Sequence, residues 1–380
     1  MICGIKCKYI INDILSPLIN KQRLLNIIKY NKKLQSLFNI SINDYKTISQ
    51  IIIELTFPKT RIYTSEELFI NYEQRYKQYF HVYFNNSEDE QDYPKNINYD
   101  LIDSFKHFIR SKITNKEKEL VKGYFLKKHK IKKIKIVIDY PVTSLKCLFK
   151  DCTGIRHINF IQFYRKNITD MSQMFYNCNN LEKLTMKNFV TINVTNMSDM
   201  FQVCRRIKTI DFSSFDTKNV TDMSFMFSEC ENLRQLDLTK FRTNNLTKMS
   251  NMFSECLELT EVNMSDFNTT NVFDMSGMFS GCTKLKKINL KNFETKNVKY
   301  MDKMFYFCYD LTEIDLSNFN TNKLQNIECM FKECHSLRKL NIKNFKCDNN
   351  CEMFRVFEGC DSLVEVICSE DMRNKLKIKK

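Results

Sequence analysis

A single phrase returns nine times along this chain at an interval of 26 residues, and that strictness limits the fold more than any other feature. Phe149, Phe175, Phe201, Phe227, Phe253, Phe279, Phe305, Phe331 and Phe357 mark it, each followed three residues later by a cysteine, from Cys152 to Cys360. A unit this regular is one coil of a solenoid, which cannot bury its own apolar face and must stack on the next. Within one coil, Leu236 and Leu238 alternate as in a strand, whereas Met249, Met252 and Cys256 recur at three and four residues. The first spacing predicts a short parallel strand and the second a short helical or 3₁₀ turn. Stacked in register, such strands lie about 4.8 Å apart, and the Met and Phe stripes fill the interior.

The repeated phrase, seen at Asn219-Val220-Thr221-Asp222-Met223-Ser224-Phe225-Met226-Phe227 and on through Cys230 and Leu233, resembles the BspA-like family of leucine-rich repeats in its Met-Phe-Cys form. The resemblance covers about two-thirds of the chain. It implies an extended, non-catalytic recognition scaffold of a kind often found on cell surfaces and tied to adhesion. It carries over no active-site residues.

The fold class expected is α+β: a small helical or α+β module over residues 1–128, a leucine-rich-repeat solenoid over 129–368 and a basic tail over 369–380. Residues 9–38 read as helical, with Ile10, Ile11, Ile14, Leu15 and Leu18 on one stripe and Leu24, Leu25, Ile27, Ile28, Leu34 and Leu37 on another. Ile14-Leu15-Ser16-Pro17-Leu18, followed by Leu24-Leu25, resembles an F-box. That resemblance implies docking onto a ubiquitin-ligase core through residues 9–38; the alternative is a plain helical cap. The β-rich runs 51–55 and 79–84 predict strands, and 99–113 and 115–128 return to helical spacing. Ile134, Ile136 and Ile138 alternate before Val142, Leu145 and Leu148 fall on the repeat frame, which makes this half-coil the expected N-terminal cap.

The formal charge is +15, and residues 1–140 hold 25 Lys and Arg against 15 Asp and Glu. Six lysines between Lys127 and Lys135 could serve nucleic acid, but no aromatic interleaving accompanies them, so they read as a solvated strand face. Residues 1–8 lack the features of a secretory leader, and no segment approaches 18 uninterrupted apolar residues. The expected location is cytoplasmic, with the cell surface as the alternative. The nine cysteines of the repeat are expected to be reduced, because parallel Cβ vectors place neighbouring sulfurs poorly for bridging. Cys3/Cys7 and Cys347/Cys351 have metal-like internal spacing but no matching second pair, so no metal is expected. No glycine-rich phosphate loop or nucleophile motif is present, so neither an enzymatic activity nor a cofactor is expected.

Partner recognition is therefore expected on the solvent side of the strands. The candidate residues are Lys183, Asp211, Gln235, Asp237, Glu261, Asn263, Lys287, Asn289, Glu313 and Asp315, which should point outward opposite the buried leucines. One outward row, including Asp211, Asp237, Asn263, Asn289, Asp315 and Asn341, has two readings: a ligand-binding row or, favoured here, a side-chain hydrogen-bond ladder between coils. A second row, Asn167, Asn193, Asn219, Asn245, Asn271, Asn297 and Asn349, is expected to satisfy backbone groups at turns, since only 6 glycines occur in the chain.

Overall fold

The computed structural model describes residues 50–57, 67–73, 80–85, 120–125, 133–138, 142–186, 189–347 and 350–378. From residue 142 onward the chain is a β-solenoid. Parallel bridges join Ser144 to Asp170, Asp170 to Asn196 and so on through Asn326 to Glu352, one step of 26 residues at a time. Short strands repeat on one side: β6 (His157–Gln162) pairs parallel with β7 (Lys183–Thr185), β8 (Gln235–Asp237) with β9 (Glu261–Asn263), β10 (Glu313–Asp315) with β11 (Lys339–Ile342), and β11 in turn with β12 (Glu365–Cys368).

Like residues lie over like. The rings of Phe175 and Phe201 stack at 5.3 Å, those of Phe201 and Phe227 at 5.7 Å, and the column continues from Phe149 to Phe357 with interplanar angles of 13° or less. Eight of the nine are buried, and Phe357, in the last coil, is partly buried because no coil covers it. Each buried ring contributes about 1.5–3 kcal/mol of transfer free energy, so the column is a large part of what holds the stack together.

The predicted helical turn does not form. The Met-x-x-Met-Phe-x-x-Cys arc contains i→i+3 hydrogen bonds, such as Met174 N–H to Met171 O (3.3 Å) and Cys178 N–H to Phe175 O (3.1 Å). Between them, residues at four-residue spacing take left-handed dihedrals, Gln173 at φ 56° and Asn177 at φ 55°. This flips alternate peptides toward the neighbouring coil: Gln173 N–H donates to Ser198 O (2.9 Å), Phe175 N–H to Met200 O (2.9 Å) and Asn177 N–H to Gln202 O (2.8 Å). The spacing of three and four is real, but it belongs to successive turns whose free donors are used between coils.

Those inter-coil bonds all point the same way. Four columns begin at Leu145, Cys147, Phe149 and Asp151, and in each the N–H faces the C-terminal end and the C=O the N-terminal end. The aligned peptide dipoles add along the stack as they do in a helix. The left-handed φ angles cost about 1–2 kcal/mol each for a residue with a Cβ, and the ladder must offset that.

The N-terminal end is closed by strands. The order in the first sheet is β3-β5-β1-β6-β7, with β1 (Ile51–Thr56) antiparallel both to β6 and to β5 (Lys133–Ile138), and β3 (Phe80–Asn85) antiparallel to β5. Ile51, Ile53 and Leu55 with Ile134, Ile136 and Ile138 are buried against the first coil. The β-rich runs at 51–55 and 79–84 are thus strands. The helix predicted over 115–128 is not formed: Leu120–Phe125 is strand β4, antiparallel to β2 (Glu67–Glu73). A run with Val121, Tyr124 and Phe125 suits a pleated pairing, and a strand partner outweighs weak helical spacing. The described parts of 1–128 contain strands and no helix, contrary to the α+β expectation; residues 9–38 and 99–113 lie outside the described residues. At the other end a short helix, α1 (Glu370–Lys375), is capped by Ser369 and buries Met372.

Candidate interaction surface

All ten candidate residues lie on the solvent side of the stack, where the alternation of the strands puts them. In β8, β9 and β10 the pattern is exposed, buried, exposed, so Gln235 and Asp237, Glu261 and Asn263, and Glu313 and Asp315 flank buried Leu236, Val262 and Ile314. Lys183, Asp211, Lys287 and Asn289 occupy the equivalent positions of their coils and are exposed as well. Candidates within one column stand 26 residues apart, except Lys183 and Gln235 at 52, and line up along the stack. Lys287 is ion-paired with Glu313, and Gln235 Nε2 donates to Glu261 Oε2 at 3.4 Å.

The outward row from Asp211 to Asn341 is not a ladder between coils. Each of these side chains accepts from the backbone N–H two residues ahead in its own coil: Asp211 from Ser213 (2.9 Å), Asp237 from Thr239 (3.0 Å), Asn263 from Ser265 (3.2 Å), Asn289 from Lys291 (3.2 Å), Asp315 from Ser317 (3.0 Å) and Asn341 from Lys343 (3.3 Å). The side-chain oxygen instead closes the turn that follows its own strand, where an unpaired N–H lies two residues ahead. The same bonds set its electrostatics. The Ser213 N–H holds the Asp211 carboxyl below its usual range, the Thr239 N–H does so for Asp237, and the Ser317 hydroxyl for Asp315. Lys287 lowers Glu313 through their hydrogen bond. These groups are ionised at neutral pH and keep free lone pairs toward solvent.

The second asparagine row does connect coils. Asn167 Nδ2 donates to Val142 O (2.9 Å), Asn193 to Lys166 O (2.7 Å), Asn219 to Ile192 O (2.7 Å), Asn245 to Lys218 O (2.8 Å), Asn271 to Asn244 O (2.8 Å) and Asn297 to Thr270 O (2.8 Å). Asn349 lies outside the described residues. A third row escaped the sequence reading. Thr191, Thr217, Thr243, Thr269, Thr295 and Thr321 are buried, and each hydroxyl donates to a carbonyl 25 residues ahead; Thr243, for example, bonds Asn268 O at 3.0 Å and accepts from Asn268 N–H at 2.7 Å. Its signal was present as the recurring Phe-x-Thr, from Phe189-Val190-Thr191 to Phe319-Asn320-Thr321.

The repeat cysteines carry free thiols, and from Cys178 to Cys360 each donates to the carbonyl of the phenylalanine 29 residues before it, as Cys204 does to Phe175 O at 3.2 Å and Cys256 to Phe227 O at 3.1 Å, whereas Cys152, in the first coil, turns to Lys150 O. Burial pushes the thiols from Cys178 to Cys308 well up, so they stay protonated. The Cys351 thiol turns to Cys347 Sγ at 2.6 Å, and Cys3 and Cys7 lie outside the described residues. Among the described residues no group of three or more His, Cys, Asp and Glu could hold a metal ion, and no helix is long and apolar enough to cross a membrane.

The family described as "Mycoplasma protein of unknown function, DUF285" matches residues 143–262 and again 247–369. No curated protein matches the sequence. Among solved structures, a leucine rich cell surface protein from Faecalibacterium prausnitzii A2-165 is similar at 15% identity, with 63% of this chain and 87% of that chain covered and a TM-score of 0.26. The family matches begin at residue 143 and so leave out residues 9–38, on which docking to a ubiquitin-ligase core rested.

Proposed function

The chain belongs to the family described as Mycoplasma protein of unknown function, DUF285, and from its geometry we propose that it is a non-catalytic scaffold binding a protein partner through the strand face. The observation that supports this is a division of labour among the columns. Inward positions hold one residue class from coil to coil, Leu236, Val262 and Ile314 for instance, because packing fixes them. The outward positions beside them change from Lys183 to Gln235, Glu261, Lys287 and Glu313, free of any packing role. A rigid array of side chains at a fixed spacing of about 4.8 Å suits an extended partner, which contacts several coils at once. The proposed location is the cytoplasm; an adhesion role would place the same face toward an extracellular partner, and fractionation of the source cell separates the two.

The reading is tested by capture from a source-cell lysate with wild-type protein and with a variant carrying Lys183→Ala, Gln235→Ala, Glu261→Ala, Lys287→Ala and Glu313→Ala. A partner retained by the first and lost by the second, with melting behaviour unchanged, is the expected result. Equal capture by both proteins would move recognition off this face.

A further inference from the structure

One coil departs from its neighbours on the outer side of the arc. It carries Tyr306, Phe307 and Tyr309 where the coil before has Ser280, Gly281 and Thr283 and the coil after has Lys332, Glu333 and His335. The rings touch in sequence: Tyr306 and Phe307 with centroids 4.0 Å apart, Phe307 and Tyr309 at 5.6 Å, and Tyr309 stacked on His335 at 5.3 Å. Core packing does not require them, because Phe305 already fills the interior column between Phe279 and Phe331. Tyr309 and His335 are exposed, and Tyr306 and Phe307 are half-buried.

Carboxylates flank the strip on both sides. Gly281 is left-handed at φ 72°, and a Cβ there would lie 2.6 Å from the Glu255 carboxylate. The missing side chain therefore leaves room for the Glu255 carboxylate at Gly281, in the coil adjacent to Phe307, which occupies the next step of the same column. No cation among the described residues pairs with Glu255; Arg205 is held by Glu229 and Glu231, and Lys284 by Glu258. On the far side Glu333 contacts His335 at 3.3 Å, and Asp361 does so at the same distance. Lysine and arginine side chains of the chain stand over Tyr176, Phe273 and Phe354, whereas among the described residues none stands over Tyr306, Phe307 or Tyr309.

We propose that the strip of Tyr306, Phe307, Tyr309 and His335, between Glu255 and Glu333, docks a basic polypeptide segment whose Lys or Arg side chains lie across the rings. Aromatic faces attract cations through their quadrupole, and carboxylates at either edge add to the attraction. A cation also relieves the repulsion among Glu255, Glu229 and Glu231, which an uncharged saccharide would leave in place. The surface lies on the arc and shares no residue with the strand face, so it stands whether or not that face binds a partner.

The test uses the full chain and a fluorescein-labelled nona-arginine peptide, read by anisotropy, with maltoheptaose as an unlabelled competitor. Glu255→Gln and Glu294→Gln change the net charge equally, but only the first removes a carboxylate beside the strip; Glu294 is exposed and belongs to neither the strip nor the strand face. Glu255→Gln is expected to weaken binding about five-fold and Phe307→Ser with Tyr309→Ala about ten-fold or more, with Glu294→Gln staying within about two-fold. Tyr309→Phe keeps the ring and should bind like wild type, which guards against a loss due to misfolding. Equal weakening by the two glutamate variants would show diffuse attraction and overturn the proposal. So would the absence of peptide binding, or displacement of the peptide by maltoheptaose, which would mark a saccharide surface.

Discussion

Thr243→Val is the substitution that probes the hydroxyl column most directly. Valine keeps the branched shape and χ1 preference of threonine, so packing around the site is retained and the change is confined to one oxygen. Thr243 is 1% exposed, and its hydroxyl serves both the N–H and the C=O of Asn268 in the next coil. Each group left unsatisfied when fully buried costs about 1–3 kcal/mol. The Asn268 side chain is exposed, so water recovers part of this and the net loss is about 2 kcal/mol, roughly a 30-fold shift toward the unfolded state. Thr243→Ser keeps the oxygen and deletes one methyl, at a cost of about 0.8 kcal/mol. Urea denaturation followed by far-ultraviolet circular dichroism should therefore rank wild type above serine and serine above valine, with unchanged slope. If the column were apolar filling that happens to contain hydroxyls, valine would be the better of the two variants. A valine protein as stable as wild type would refute the reasoning.

Native-state alkylation should label Cys360 and Cys368, both only half-buried, well before the ladder from Cys178 to Cys308; the Cys334 hydrogen bond also lowers Cys360, whereas burial keeps the ladder thiols protonated. Peptide mass mapping after brief iodoacetamide treatment reads this, and equal labelling of Cys230 in the folded protein would contradict it. Burial first, then Glu229 and Glu231, raise the Glu255 carboxyl, so its contribution is present below its unfolded pKa and lost as pH rises through the higher folded value. Glu255→Gln should thus flatten the stability profile above the ordinary glutamate range of about pH 4 and be the more stable protein once the wild-type carboxyl has ionised; thermal melts with superimposable profiles would argue against it. Deleting residues 232–257 removes one whole coil and should leave a shorter stack that melts cooperatively, whereas deleting 232–255 leaves every later column two residues out of register and should not. Similar melting of both deletions would exclude register as what holds the stack.

The strict recurrence of Phe, Met, Leu and Cys by itself determined that coils stack and that Phe175, Phe201 and Phe227 share one column, because apolar surface at a fixed period has nowhere else to be buried. It also determined which residues face out, through the alternation around Leu236 and Leu238. The sequence could not show the form of the arc. Gln173, Phe225 and Lys303 all favour right-handed dihedrals, and they are left-handed only because their own N–H and that of the residue two ahead each find a carbonyl in the next coil. That partner lies 25 residues away, beyond the reach of any local spacing rule, so a three-and-four periodicity read as helix became a polar ladder. Tertiary structure likewise decided that β1 is inserted between β5 and β6, and that Leu120–Phe125 is a strand, since pairing with a distant segment outweighs the preference of a short run. The aromatic strip needed both: the sequence supplied three rings in one coil, and the stack set the Glu255 carboxylate against Gly281, in the coil next to them.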